Sequence, residues 1–288
     1  MTIFYFCGVN NSNQVIQEFY TPAALYESIV NSFSEKGILP DQITRDHLLA
    51  VDEFHIQGLK ATKEIIANAG IEEEMKILDA GCGIGGTCRM LADVYNCQVT
   101  GIDLSFEYIR TARLLSNLLN MQHVTRFQQS DVCKLPFEDA SFDCVISQHV
   151  QINVEDKDLF VSEVYRVLKP GGKFIYYDVF QISEMKILFP VPWADREETS
   201  FLVSPEKWDQ ILNLNGFISK SRDNRTASGI QFLDQLIKKM DENNLPKPGL
   251  DLLMGDTYSE KIRNVYSNLI QGIIILQSGI EEKETQRE

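Results

Sequence analysis

Between about residues 14 and 69 apolar positions recur at helical spacing, interrupted at Pro22 and again from Gly37 to Pro40, which predicts two or three helices. Beyond Lys76 the rhythm changes. Short apolar runs alternate with amphipathic stretches in the order KILDAG, 88–95, QVTGID, 106–120, TRFQQSD, CVISQH, 157–168 and KFIYYDV. Alternation at this pitch predicts a doubly wound α/β fold, a mostly parallel sheet with helices on both faces. The stretch from Gln181 to Val203, with Pro190, Pro192 and Trp193, breaks the alternation and is expected to form a loop inserted over the active face. Ser204 ahead of Pro205 and Glu206 predicts a capped helix running to about Asn215. A strand, helices and a last strand near Ile273 to Ile280 follow. The expected units are an N-terminal helical lid over 1–69, a core over 70–180, cap insertions with the C-terminal part of the sheet over 181–280, and a flexible charged tail over 281–288.

Composition narrows the function classes. A 44% hydrophobic and 24% charged chain of 288 residues is that of a globular protein. Lys and Arg number 27 against 41 Asp and Glu, a formal charge of −14, which opposes binding to nucleic acid or an anionic membrane. The six cysteines, at 7, 82, 88, 97, 133 and 144, form no CxxC pair and no Cys/His spacing suited to zinc. No metal is expected, and the thiols read as reduced. The opening MTIFYFCGVNN lacks a basic leader, and apolar stretches such as 273–276 are far too short to span a membrane. The expected compartment is the cytoplasm, and a homodimer is possible.

The chemistry concentrates in ILDAGCGIGGT, Ile77 to Thr87. In an open α/β sheet ligands bind at the carboxyl ends of the strands, where strand order reverses. The first strand ends at Asp79, and Gly81, Gly83, Gly85 and Gly86 follow in a strand-to-helix turn that lets a ligand approach the backbone. Asp103 ends the second strand, 24 residues after Asp79, where a carboxylate can accept bonds from both ribose hydroxyls. A glycine-rich loop and an acid also serve dinucleotide enzymes, so an NAD-dependent oxidoreductase is the remote alternative. Three features point elsewhere: the acid within LDAGCG, Asp131 in QQSDV at the end of the third strand, and LPFEDASFDCV leading into the fourth.

With YRVLKPGGKF at Tyr165 to Phe174, these motifs resemble the class I S-adenosylmethionine-dependent methyltransferases over about Lys76 to Val179. DEFHIQG (52–58), SQHVQIN (147–153), FPVPWA (189–194), LLMGD (252–256) and RNVYSNL (263–269) extend the likeness to a small-molecule subgroup similar to sarcosine/dimethylglycine and natural-product methyltransferases. The resemblance implies a Rossmann-like, seven-stranded sheet under a helical lid and cap, with S-adenosyl-L-methionine as cofactor and S-adenosyl-L-homocysteine as product. It implies that Gly81 and Gly83 pass the methionine part, Asp103 the ribose, Leu104 a face of the adenine, and Asp131 with Val132 its edge, with Asp79 and Cys82 also among the cofactor-binding positions. Gln148 and His149 would lie beside the sulfonium and the incoming nucleophile.

Methyl transfer by in-line displacement requires alignment, exclusion of water and a deprotonated nucleophile. His149 is a candidate base, since neutral imidazole can take a proton near neutral pH; holding its loop by hydrogen bonds is the competing role. Asp178, ending the fifth strand, is a second candidate base or a partner for a cationic amine. His55, in the lid, could close over the methionine end. Trp193 and Phe189, with Gln148, are candidate substrate contacts, and Cys82 is read as a small residue packed behind the loop. The expected acceptor is a sarcosine- or dimethylglycine-like amine, for which Arg196 or Arg225 could hold the carboxylate. O- or C-methylation of a natural product, terpenoid or quinone-type metabolite is the alternative.

Overall fold

The computed structural model describes residues 11–20 and 24–285. The opening residues 1–10 with Cys7, the break expected at Pro22, and residues 286–288 of the expected tail lie outside them. Seven strands form one sheet, as expected, and their order is β3-β2-β1-β4-β5-β7-β6. They are β1 (Lys76–Ala80), β2 (Gln98–Asp103), β3 (Thr125–Gln129), β4 (Phe142–Gln148), β5 (Leu168–Gln181), β6 (Phe217–Asn224) and β7 (Ile274–Lys283). The first five are parallel, while β7 runs antiparallel to both β5 and β6. Strand order reverses at β1, which lies between β2 and β4, so the crevice of the fold opens at the carboxyl ends of these three strands.

The helices are α1 (Asn11–Phe19), α2 (Leu25–Ser34), α3 (Arg45–Asp52), α4 (Gly58–Ala67), α5 (Gly86–Tyr95), α6 (Phe106–Leu118), α7 (Lys157–Val167), α8 (Pro205–Leu214), α9 (Thr226–Asp241), α10 (Asp251–Met254) and α11 (Tyr258–Ile270). Short polar side chains start several of them. Ser105 accepts from the Tyr108 amide, Asp156 from that of Leu159, and Ser204 from that of Lys207, each supplying a partner for an otherwise orphan donor.

Each face of the sheet is buried under helices. Phe160, Val161 and Val164 of α7 and Trp208 and Ile211 of α8 pack with Leu78, Val145 and Phe174. On the opposite face Ile65 of α4, Leu91 of α5 and Val265 of α11 pack with Ile77, Ile146 and Ile175. A third cluster joins the lid to the body through Leu25, Ile29 and Phe33 of α2, Leu48 and Val51 of α3, and Tyr108 and Leu115 of α6. At about 1.5–3 kcal/mol for a fully buried large aliphatic or Phe side chain, this cluster holds α2 and α3 as part of the fold rather than as loose appendages.

The structure corrects two expectations about elements. The described residues before β1 form four α-helices rather than two or three, because turns at Thr44 and Gln57 divide the pattern further. As expected, 182–204 is almost wholly loop, and helices α9 to α11 stand between β6 and β7. The tail does not begin at Glu281: β7 runs to Lys283, and Glu281 is fully buried against Arg222. No described helix is long and apolar enough to cross a membrane.

Candidate active site

A cavity of about 370 Å³ opens at the strand-order reversal, within the range of small-ligand sites. Its floor is the loop after β1. The Gly81 and Cys82 amides both donate to Ile102 O at 2.8 Å, which folds the loop back over β2. Gly81 has φ +86°, and a Cβ there would lie 2.2 Å from Val150 Cγ2, so no larger residue fits. Gly83, at φ +52°, has no atom within 4 Å of where its Cβ would stand; this backbone is open to a ligand.

The carboxylate of Asp103 takes the Gly83 amide at 3.0 Å and the Ser105 amide at 2.8 Å, tying the first two strand ends together. Burial pushes it up to about 6, although the amides of Ser105 and Gly83 hold it down. Asp79 lies deeper, 3% exposed, and burial pushes it up to about 7; Cys88 Sγ donates to its Oδ2 at 3.2 Å. Cys82 borders the cavity, and its sulfur packs against Gly101 of β2, filling the space behind the loop. Burial pushes its thiol up to about 11, which keeps it an inert S–H.

Asp131 accepts the Cys133 amide at 2.8 Å on one oxygen and Asn13 Nδ2 at 2.7 Å on the other. Helix α1 therefore reaches the end of β3. It also reaches β2 and β4: Ser105 Oγ donates to Tyr20 O at 2.7 Å, and Tyr20 Oη donates to Asn153 Oδ1 at 2.9 Å. Asn13, Ile16 and Tyr20 line the cavity from above.

Past β4 the chain turns at His149, whose φ of +55° lies in the left-handed region, uncommon outside glycine although histidine enters it more readily than most residues. The His149 amide donates to Tyr177 O at 2.7 Å. Its imidazole lies 5.0 Å from the Tyr177 ring and 5.9 Å from that of His55, centroid to centroid, and its Nε2 is buried with no partner. Burial, reinforced by the nearby His55, drives His149 well below the usual histidine range, so it stays neutral.

Residues 78–176 match the family model described as a methyltransferase domain. This segment is a methyltransferase domain. Among relatives, the chain is 32% identical to tocopherol O-methyltransferase of Arabidopsis thaliana, over 66% of this chain and 56% of that one. It is 27% identical to norajmaline N-methyltransferase of Rauvolfia serpentina, over 86% and 84%. A solved structure of a putative sarcosine dimethylglycine methyltransferase from Galdieria sulphuraria shares the fold at a TM-score of 0.69 and 17% identity, covering 85% of this chain and 98% of that one. The chain spans 59%, 40% and 56% of three curated relatives, about half of their length.

Most of the residues expected from the sequence converge at the cavity, from this methyltransferase domain and from the segments on either side of it. Asp79, Gly81, Cys82, Gly83, Asp103, Leu104, Asp131, Val132, Gln148, His149, His55 and Trp193 all line the one cavity. Two do not. Asp178 lies 1% exposed beneath the loop after β4, where Oδ2 accepts the Val150 and Gln151 amides at 3.0 Å and Oδ1 that of Val179 at 3.0 Å. It shapes the loop that carries His149 and does not reach the cavity. Phe189 packs into the hydrophobic layer instead of the cavity wall, leaving Trp193 and Pro192 as that loop's contribution. Arg225 is committed to Glu64 at 2.8 Å and Ser278 at 2.8 Å, and Arg196 points outward beside Glu198. Neither lines the cavity.

Several cavity residues went unread in the sequence: Asn13, Tyr20, Glu53, Thr87 and Asn153. Glu53 stands two residues before His55 in DEFHIQG, and Asn13, Ile16 and Tyr20 share one helical face, a pattern visible in the sequence without indicating what it covers.

Proposed function

We propose that this chain transfers a methyl group from S-adenosylmethionine to the nitrogen of a small amine that has an apolar body and no anionic group. The observation that carries the acceptor class is the cavity wall: among the described residues no Lys or Arg lines it, while Glu53, Asp79 and Asp103 do. A sarcosine-like carboxylate would be buried there without a cationic partner, at a cost of several kcal/mol. That turns the reading away from the amino-acid amines expected from the sequence. An uncharged or cationic amine meets acids and rings instead, with Tyr20, Phe54 and Trp193 on the wall.

The residues present fit the cofactor. Gly83 leaves open space where a side chain would stand, and the buried Asp103 carboxylate faces the cavity beside it. Gly81 and Gly83 would pass the methionine portion, Asp103 the ribose, Leu104 an adenine face, and Asp131 with Val132 the adenine edge, with Gln148 at the reacting end. When bound, the cofactor supplies an electrophilic methyl on a sulfonium sulfur. The chain supplies alignment and a dry wall: α1 and the Trp193 loop close over the strand ends, and His149 and His55 stand at the cavity as imidazoles.

The test is a labelled-methyl assay with purified full-length protein on N-methylbenzylamine, sarcosine, dimethylglycine and a phenol. Label in the first and little in the next two is expected. Label only in the amino acids would defeat the acceptor class, and label only in the phenol would favour O-methylation, the chemistry named for the tocopherol relative.

A further inference from the structure

Glu53 follows the last residue of α3 and is 5% exposed. Local electrostatics oppose a carboxylate there, because the carboxyl end of a helix carries partial negative charge and the acid Asp52 stands next to it. Asp52 is compensated by a buried guanidinium, Arg89 Nη2 on its Oδ1 at 2.5 Å. Glu53 has no such cation: among the described residues its ion-pair partner is His55, whose charge depends on protonation. Its Oε2 lies 2.8 Å from His55 Nε2, 2.9 Å from Thr62 Oγ1 of α4 and 3.3 Å from Thr87 Oγ1 of α5. These neighbours are bonded among themselves, with Thr62 Oγ1 3.0 Å from His55 Nε2 and 3.1 Å from Gln148 Nε2, and Thr87 Oγ1 2.9 Å from Gln148 Oε1. Whichever of them holds each proton, that side of the carboxylate is closed. Oε1 takes no donor among the described residues, and it is not one of the polar atoms sealed away without a partner. Glu53 lines the cavity, and Oε1 is therefore the oxygen it turns there. Buried charges in proteins are paired, so a carboxylate left open on a ligand cavity calls for a cation that the ligand brings.

We propose that Glu53 is a specificity-determining residue that receives an alkylammonium group in the cavity. Among the described residues no Lys or Arg lines that space, so no cation of the protein competes for Oε1. Asp79 strengthens the field on this side. Burial is the main cause that raises Asp79, and the charge of Glu53 adds to it, so the two carboxylates stand within electrostatic reach of each other. The proposal rests on the amine methyltransferase reading, in which two ligands carry an alkylammonium: the methionine end of the cofactor and the acceptor. The position of Glu53 favours the first. Its bonds run to α4, to the first turn of α5 after the β1 loop and, through Thr62 and Thr87, to Gln148 at the end of β4. Asp103 and Asp131 lie across β1 from it, at the ends of β2 and β3. With the adenine at Asp131 and the methionine part over Gly81 and Gly83, the amino end of the cofactor is the part that reaches Glu53.

The experiment is a cycle of protein and ligand changes on the full-length chain. Calorimetry compares wild type, Glu53→Gln and Glu53→Asp with S-adenosylhomocysteine, its analogue lacking the α-amino group, and 5′-methylthioadenosine, which lacks the whole amino-acid end. Glu53→Gln should weaken S-adenosylhomocysteine at least about tenfold and the other two ligands less than about threefold, with a smaller loss in Glu53→Asp. If the acceptor is the source of the cation instead, S-adenosylhomocysteine affinity should hold within about threefold in Glu53→Gln, while KM for N-methylbenzylamine at saturating cofactor rises at least about tenfold. Either pattern supports the ammonium site and says which ligand fills it. Glu53→Gln moving neither quantity overturns the proposal, and so does a parallel loss of 5′-methylthioadenosine, which would mark a structural role. Wild type gives a second reading that needs no variant to fold. If it binds the des-amino analogue as tightly as S-adenosylhomocysteine, and the uncharged isostere benzyl methyl ether as tightly as N-methylbenzylamine, the proposal is equally overturned. The parent reading fails separately: wild type would then bind no S-adenosylhomocysteine and label no amine.

Discussion

Asp103 and Asp79 stand one strand apart, yet their partners give them different tasks. Asp103 spends its oxygens on the Gly83 and Ser105 amides at the cavity rim, so it shapes the loop, and in the proposed reading it would also present charge to a ribose. Replacing it by Asn leaves the volume but removes charge-assisted bonds worth about 1.5–3 kcal/mol each. Calorimetry on Asp103→Asn should show S-adenosylhomocysteine binding weakened at least about tenfold; unchanged affinity would remove Asp103 from the cofactor site. Asp79 instead has one thiol donor, and burial lifts it from 3.8 to about 7. The native state therefore holds a proton that the unfolded chain releases between about pH 4 and 7. Its stabilising contribution is complete below the unfolded value and is lost as pH rises through about 7. Urea unfolding at several pH values should show the stability of wild type relative to Asp79→Asn declining across that window. A difference independent of pH would contradict the burial argument.

Among the elements, α3 and α5 are joined by a fully buried ion pair, Arg89 Nη2 to Asp52 Oδ1 at 2.5 Å, with Arg89 Nη1 also on Ser116 Oγ at 3.3 Å. Removing one partner leaves a buried charge, at about 3–5 kcal/mol. Arg89→Leu should lower the melting temperature by about 6 °C or more, and Asp52→Leu in the same chain should restore much of it. Additive losses in the double variant would show that the pair is not the latch. The sequence could not announce this contact, because it joins residues 37 apart on helices whose mutual docking is tertiary. What it did carry is periodic or punctuated. Strand runs such as KILDAG and QVTGID, the Ser204-Pro205 start and the glycines after Asp79 were all readable, since each depends on neighbours in the chain. Phe189 and Asp178 show the limit. Both lie in the right segments, but where Phe189 points from its loop and Asp178 from β5 is set by packing with elements distant in the chain. Glu281 shows another: a charged end reads as solvated until Arg222 on the neighbouring strand gives it a partner.

Over the whole molecule, a formal charge of −14 surrounds a cavity whose described lining includes acids and no Lys or Arg. Such a field should distinguish ligands by charge even where their shapes agree. At an effective dielectric constant of about 20, unit charges 4 Å apart interact by about 4 kcal/mol, and partial protonation of Asp79 and Asp103 reduces the share realised near neutral pH. Sinefungin, which places an ammonium where S-adenosylhomocysteine has a neutral thioether, should therefore bind more tightly at low salt. Part of the difference is long-ranged and screened, so it should narrow between about 0.01 M and 1 M salt, as the screening length falls from about 30 Å to 3 Å. The remainder belongs to contact with the buried carboxylates and should persist. Titration calorimetry of both ligands at the two salt concentrations separates these parts. Equal affinities at low salt would mean that the cavity acids are neutralised in the bound state. The preference for a cationic amine acceptor, which depends on the same carboxylates, would then lose its electrostatic basis.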